Sequence, residues 1–127
     1  MLPGTISAAD RYVRASYALK SSPKFKDKRQ ALASIFSQMR AVSVPLGLSD
    51  PDKPNISSTM YRMYADCDAM LYYYDNAYDP SSFWVDLKTV DFNEGTKPSK
   101  LVVSGMIDLA GDVAAQFTPA EPYQFLS

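Results

Sequence analysis

One strongly periodic apolar stripe constrains this chain, because any fold must cover it. From a start near Lys26, apolar residues recur at i, i+3 and i+4 spacing, the pattern of an amphipathic helix with one packed face. The stripe consists of Ala31, Leu32, Ile35, Phe36, Met39 and Val42. Lys26, Lys28 and Arg29, near the helix start, are predicted to be solvated. The segment 45–54 is rich in Pro, Gly, Asp and Ser, so we predict a long loop there.

A second helix is predicted upstream, because a Pro-Gly turn is followed by a helix start signal. Ser7 can cap the first backbone N–H groups, and Asp10 occupies the acidic position of a capping box. We predict a helix from Ala8 to about Lys20, with Pro23 in the connection that follows it. Its packed face is predicted to contain Tyr12, Ala15 or Ser16, and Leu19.

The remainder of the chain is predicted to be rich in strands, which makes the fold α+β. Two Tyr- and Met-rich runs, 59–65 and 69–74, form a candidate hairpin with Asp66, Cys67 and Asp68 at its turn. Such runs are typical of strands that are covered on both faces. Further extended segments are predicted at 82–87, at 100–103 and over most of 114–125. We therefore predict two helices packed on an antiparallel sheet.

Composition argues against several classes of protein. The chain has 127 residues, the size of a single domain, and its hydrophobic content of 46% is ordinary for a globular protein. The net charge of −1 and the pI near 5.2 argue against a nucleic acid or an anionic membrane surface as partner. No apolar run approaches the roughly 18 residues of a membrane span. A single cysteine excludes an internal disulfide framework.

Arg11 and Arg14 are the candidate site residues of the first helix. They stand three residues apart, on one face, directly behind the Pro-Gly turn. A guanidinium held at such a turn can bind an anion or stabilise a negative charge that develops during a reaction. The alternative is a capped helix with two solvated arginines, and spacing alone favours that alternative.

The segment 2–16, LPGTISAADRYVRAS, resembles the segment that opens the C-terminal part of choloylglycine hydrolases and penicillin V acylases. Weaker blocks follow in the family's order at 42–47, 72–76, 83–87, 111–113 and 119–125. These enzymes are linear-amide C–N hydrolases of the N-terminal-nucleophile class. The resemblance implies that residues 1–127 are the C-terminal portion of such a domain. It also implies that the helices and the sheet belong to a four-layer α-β-β-α sandwich.

The resemblance further implies a catalytic role for Arg11. In the family pattern an arginine at the start of this helix points toward a nucleophilic N-terminal cysteine, where its charge favours the thiolate. Arg14 is the runner-up, and we expect it to bind a neighbouring carboxylate for structural reasons. Asp10 is expected to cap the helix or to orient Arg11, and the Asp75-Asn76 pair to form a turn.

The family's N-terminal cysteine has no counterpart in this chain, so the chain alone is expected to be inactive. Its one cysteine, Cys67, lies between two carboxylates that disfavour a thiolate, and there is no histidine to act as a base. The expected partners are the N-terminal catalytic part of the same enzyme and a small-molecule amide substrate. An uncovered sheet would also favour a homo-oligomer. Neither a cofactor nor a metal is expected.

Two functions stay open at the level of the sequence. In the first, the chain is the C-terminal segment of a cysteine amidase that hydrolyses conjugated bile salts, penicillin V or N-acyl homoserine lactones through an acyl-enzyme. In the second, it is a non-catalytic remnant or interaction module from a split or truncated gene. The blocks at 6–10 and 111–113 resemble Gram-negative members, many of which are exported. The parent is therefore expected to be periplasmic if it is exported and cytoplasmic otherwise.

Overall fold

The chain divides into two compact units, Met1–Met60 and Tyr61–Ser127. The computed structural model describes residues 1–104 and 108–125. The first unit contains two α-helices and a long loop, and the second contains the strands. The fold is therefore α+β, as the sequence predicts, and its larger sheet is mainly antiparallel. The packing of the helices on the sheet stays a prediction.

Both predicted helices are present, and each begins at a side-chain cap. They are Ala8–Ser21 (α1) and Lys28–Ala41 (α2). The Ser7 hydroxyl accepts the N–H of Asp10 at 3.2 Å, and the Asp27 carboxylate accepts the N–H of Gln30 at 2.9 Å. These bonds satisfy N–H groups that have no partner within the helix. Helix α2 begins slightly later than predicted because Asp27 is its cap.

The half-buried side of α1 differs in part from the predicted one. Tyr12 and Leu19, which are predicted to be packed, are 74% and 67% exposed. Ala15 and Ser16 are half-buried, as predicted, and the other half-buried residues of α1 are Asp10, Arg11, Arg14 and Ala18. The apolar stripe of α2 is also only partly covered, since Ile35 and Met39 are exposed. Periodicity finds the apolar stripe of a helix, but it does not tell which members of the stripe are covered.

Polar contacts join the two helices and close the loop that follows them. The side-chain amide of Gln38 in α2 donates to the Ser22 hydroxyl, just after α1, at 2.7 Å. The predicted loop over 45–54 contains neither helix nor strand. Beyond its two ends, the Val44 carbonyl accepts the Thr59 N–H, and the Thr59 hydroxyl accepts the Val44 N–H, both at 3.0 Å. These two bonds fix where the long loop leaves and returns.

The strands form one four-stranded sheet and one two-stranded sheet. In chain order they are Tyr61–Asp66 (β1), Leu71–Asn76 (β2), Ser82–Asp86 (β3), Ser99–Lys100 (β4), Gly111–Asp112 (β5) and Thr118–Pro119 (β6). The larger sheet has the order β1-β2-β3-β5, antiparallel except for the parallel pairing of β3 with β5. Strands β4 and β6 pair with each other, antiparallel. Two 3₁₀ helices are present, at Leu87–Thr89 and Ala114–Gln116.

The hairpin and the third strand are confirmed, whereas the C-terminal predictions are less accurate. Of the segment 100–103 only one residue belongs to a strand, and that strand, β4, lies outside the larger sheet. The sequence analysis does not predict β5, and the segment 114–125 begins with a 3₁₀ helix rather than extended chain. Two-residue strands show no alternation of their own, because pairing with distant partners defines them.

The hydrophobic core of the second unit centres on three buried residues, Phe83, Leu109 and Val113. Partly buried apolar residues pack against them: Tyr74, Val85, Leu101, Val103 and Phe117. The rings of Tyr61, Tyr74 and Phe83 stack in a row across β1, β2 and β3, with centroid separations of 5.3 and 5.0 Å. Offset aromatic pairs of this kind stabilise a sheet beyond the area that they bury.

Strand β1 is covered on one face only. Its residues alternate between exposed and covered, with Tyr64 buried and with Tyr61 and Met63 exposed. The expectation that these Tyr- and Met-rich strands are covered on both faces is therefore wrong for β1 in this chain. Aromatic and β-branched content raises strand propensity, but only alternation reports which face is covered.

Candidate active site at the start of helix α1

Arg14 attaches the Pro-Gly turn to α1. Its Nη1 donates to the carbonyl oxygen of Pro3 at 3.0 Å and to that of Thr5 at 2.8 Å. One guanidinium nitrogen thus closes the turn onto the helix, at a half-buried position. These contacts are structural in kind, but the partners are carbonyl groups rather than the predicted carboxylate.

Asp10 and Thr5 complete the helix start. The Asp10 carboxylate accepts the Thr5 N–H at 3.2 Å and also the Thr5 hydroxyl, whose oxygen accepts the Ser7 N–H at 3.2 Å. A capping box would join Asp10 directly to the Ser7 N–H, and here Thr5 stands between them. The Thr5 hydroxyl is the main cause that holds the pKa of Asp10 below its usual value. Ser7 is therefore the helix cap, and the Asp10 carboxylate ties the preceding turn to the helix through Thr5 rather than orienting Arg11.

The guanidinium of Arg11 is held in place by a hydrogen bond from Nε, and its two Nη atoms are available to donate to a ligand. Its Nε donates to the Val42 carbonyl at 2.7 Å, at the C-cap of α2. The end of a helix has carbonyl groups without helical partners and a partial negative charge, so it attracts a guanidinium. Within residues 1–104 and 108–125, neither Nη atom of Arg11 has an acceptor. The side chain is half-buried, which limits the screening of its charge.

This geometry suits the binding of an anion. A guanidinium whose Nε is fixed keeps its planar fork in one orientation, and that fork matches a carboxylate or an oxyanion. Arg14 lies one turn away, but one of its Nη atoms already serves two carbonyls of the turn. Of the two arginines, Arg11 alone can therefore offer both Nη atoms to an anion. The candidate site consists of Arg11, with Arg14, Thr5 and Asp10 holding the turn beside it.

A buried ion pair in the sheet is the feature that the sequence analysis misses. The hairpin register places Arg62 opposite Asp75, and Arg62 Nε donates to Asp75 Oδ2 at 2.7 Å. Asp75 is 1% exposed, and the hydroxyls of Tyr64 and Ser82 donate to it at 3.3 and 3.4 Å. The predicted Asp75-Asn76 turn is wrong for Asp75, which lies within β2. Asn76 does begin a turn, because its side chain accepts a backbone N–H two residues on.

The second unit has two further features that could bind a ligand or react, an open groove and an exposed cysteine. An open groove of about 720 Å³ has largely apolar walls, which include Tyr72, Val85 and Phe117. Cys67 is exposed in the hairpin turn over residues 67–70.

Among the described residues, no group of three His, Cys, Asp or Glu side chains could hold a metal ion. In the same part of the chain, no helix has the length and the apolar character needed to cross a membrane.

The chain matches a known family of hydrolases. Residues 1–100 match the linear amide C-N hydrolases, choloylglycine hydrolase family. The chain belongs to this family, so the resemblance seen in segment 2–16 is confirmed.

Two relatives carry the name penicillin V acylase. The penicillin V acylase of Pectobacterium atrosepticum is 38% identical over an alignment of 140 positions, which covers 98% of this chain and 37% of that protein. The solved structure of penicillin V acylase from Agrobacterium tumefaciens matches with a TM-score of 0.86 and 40% identity, over 99% of this chain and 41% of that one. The chain thus spans well under half the length of these relatives.

Proposed function

We propose that this chain is the C-terminal segment of a cysteine amidase that hydrolyses non-peptide C–N amide bonds, with Arg11 as its catalytic contribution. The observation that carries the proposal is the geometry of Arg11. Its Nε is fixed to Val42 at 2.7 Å, and both Nη atoms lack an acceptor among the described residues. Membership of a linear amide C-N hydrolase family supports the reaction class.

The proposed chemistry is acyl transfer through a thioester. A thiolate attacks the amide carbonyl, the C–N bond breaks as the amine leaves with a proton, and water then hydrolyses the thioester to the acid and the free thiol. Arg11 lowers the pKa of the attacking thiol and offsets the negative charge that grows on the tetrahedral intermediate. The N-terminal catalytic part of the same enzyme is the proposed source of the thiol and of its amine base. Cys67 is not proposed for this role, because it lies exposed in a hairpin turn of a chain without histidine.

Penicillin V is the first substrate to test, because two relatives at about 40% identity carry its name. Conjugated bile salts and N-acyl homoserine lactones are the other proposed substrates, since each has a non-peptide amide between an acyl group and an amine. The loops that would choose among them are proposed to come from the catalytic part rather than from this chain.

The test uses a fusion enzyme, in which this chain replaces the matching segment of the Pectobacterium penicillin V acylase. We expect the fusion enzyme to hydrolyse penicillin V. We expect the isolated chain to be inactive, so that it releases no amine from penicillin V or glycocholate and does not cleave an acyl homoserine lactone. The isolated chain with Arg11→Ala is the background control. A folded fusion enzyme without activity would contradict the proposal, as would turnover by the isolated chain above that control.

A further inference from the structure

The positive charge of the chain is concentrated in its first part. Residues 1–41 contain eight Lys and Arg against two Asp, a balance of +6, whereas residues 42–127 contain five Lys and Arg against twelve Asp and Glu, a balance of −7. The net charge of −1 conceals this division. Asymmetry of this kind between two parts of a chain suggests contact with an anionic surface.

Five of these cations surround the connection between α1 and α2, which we name the basic loop. Its cations are Lys20, Lys24, Lys26, Lys28 and Arg29. All five residues are exposed, and none has an acidic partner in the part of the chain that the structure describes. Asp27 is the single acid among them, and its carboxylate caps α2 by accepting the Gln30 N–H. The N-terminus of α2 adds a further partial positive charge at the same place.

One aromatic residue stands among these charges in the sequence. Phe25 is 37% exposed and stands between Lys24 and Lys26. We propose that the basic loop binds the surface of an anionic lipid membrane, with the lysines at the headgroups and Phe25 at the acyl boundary. Each Lys or Arg close to such a surface strengthens binding by about fivefold, so five of them suffice for peripheral attachment. An aromatic ring beside the charges adds the apolar contact that interfacial segments use.

The surroundings favour a lipid surface over a nucleic acid. Proteins that bind single-stranded nucleic acid stack successive bases on several aromatic rings along a positive groove. Phe25 is the single aromatic residue between Tyr17 and Phe36, so the basic loop offers one ring only. Exposed cations on a connection between two helices match a diffuse, planar charge better than an ordered row of phosphates. The expectation of no membrane partner rests on the net charge of the whole chain, and this proposal would overturn it.

Flotation of the 127-residue chain with lipid vesicles tests the proposal, because aggregated protein sinks while vesicle-bound protein rises. We expect binding to vesicles of phosphatidylcholine mixed with phosphatidylglycerol, loss of that binding at high salt, and no binding to pure phosphatidylcholine. Reversal of two charges by Lys24→Glu with Lys26→Glu should weaken binding by roughly 30-fold or more. Phe25→Ser should weaken it less and leave the salt dependence in place.

The matched control is Lys97→Glu with Lys100→Glu, which makes the same change in net charge at two exposed lysines of the other unit. This control should bind the anionic vesicles within a few-fold of the unchanged chain. Equal losses in both double variants, or equal binding to neutral and anionic vesicles, would overturn the proposal. Tighter binding to a single-stranded oligonucleotide that displaces the vesicles would also overturn it. If the Glu variant fails to fold, Lys24→Gln with Lys26→Gln is measured against the same expectation.

Discussion

The two units of this chain keep their structure by different means. In the first, no residue of α1 or α2 is buried, and side-chain bonds to backbone groups hold the turn and the helix ends. In the second, Phe83, Leu109 and Val113 form a buried core beside stacked aromatic rings. The candidate catalytic arginine thus belongs to the thinly packed unit, and packing is concentrated in the other. Ligand-binding segments are commonly drawn from the less stable parts of a protein.

The largest loss of stability is expected in the second unit, from Asp75→Ala. The change removes a buried carboxylate that accepts from Arg62, Tyr64 and Ser82, and removal of one partner of a buried ion pair costs about 3–5 kcal/mol. Unfolding in denaturant, followed by the fluorescence of the single tryptophan Trp84, measures the loss. Asp68→Ala, at an exposed residue of the hairpin turn, is the matched control and should change stability by less than about 0.5 kcal/mol. Similar losses in both variants would show that Asp75 stabilises the fold no more than an exposed aspartate does.

The same substitution, valine to alanine, at one position in each unit compares how much buried packing contributes to the stability of the two units. Val113 is 0% exposed, so Val113→Ala should cost about 2–3 kcal/mol from lost burial and the cavity that remains. Val13, on α1, is 44% exposed, and Val13→Ala should be neutral within about 0.5 kcal/mol because alanine also favours helix. Trp84 fluorescence reports the first change, and the helical signal in circular dichroism reports the second. A larger loss for Val13 than for Val113 would reverse the comparison.

A smaller effect is expected in the pH dependence of the first unit. The Thr5 hydroxyl lowers the pKa of Asp10, so its bonds stabilise the folded helix start above the usual aspartate pKa. This contribution disappears as the pH falls through the lowered folded-state pKa. Titration of the Asp10 carboxyl group by NMR should give a midpoint below the usual value, and Thr5→Val should raise it. Thr118→Val, in the other unit, should leave that midpoint unchanged, and an unchanged midpoint in Thr5→Val would contradict the assigned cause.

The sequence predicts local features well and distant pairings poorly. Both helices and the hairpin follow from caps, periodicity and turn residues, all of which act within a few positions along the chain. Strand β5 has two residues and is defined by parallel pairing with β3, so no pattern within those two residues predicts a strand. The exposure of Tyr12 and Leu19 is equally beyond periodicity, which cannot tell what covers a stripe.

The same limit applies to the charged residues. Arg11 is found from the sequence because the turn, the cap and the family pattern all lie within segment 2–16. Its bond to Val42 spans 31 positions and could not be read from spacing. The pairing of Arg62 with Asp75 required the hairpin register, since a shift of one residue would place the two side chains on opposite faces.

The most direct test compares Arg11 with Arg14 in the fusion enzyme. Arg11→Ala should lower kcat on penicillin V by about 10²-fold or more while lowering Tm no more than Arg14→Ala does, because it removes one bond to Val42, and Arg11→Lys should restore only part of the loss in kcat. Arg14→Ala should leave kcat within a few-fold but lower Tm, because the carbonyls of Pro3 and Thr5 lose their donor. If the two variants exchanged these phenotypes, or if neither changed kcat, the assignment of Arg11 as the catalytic arginine would be wrong.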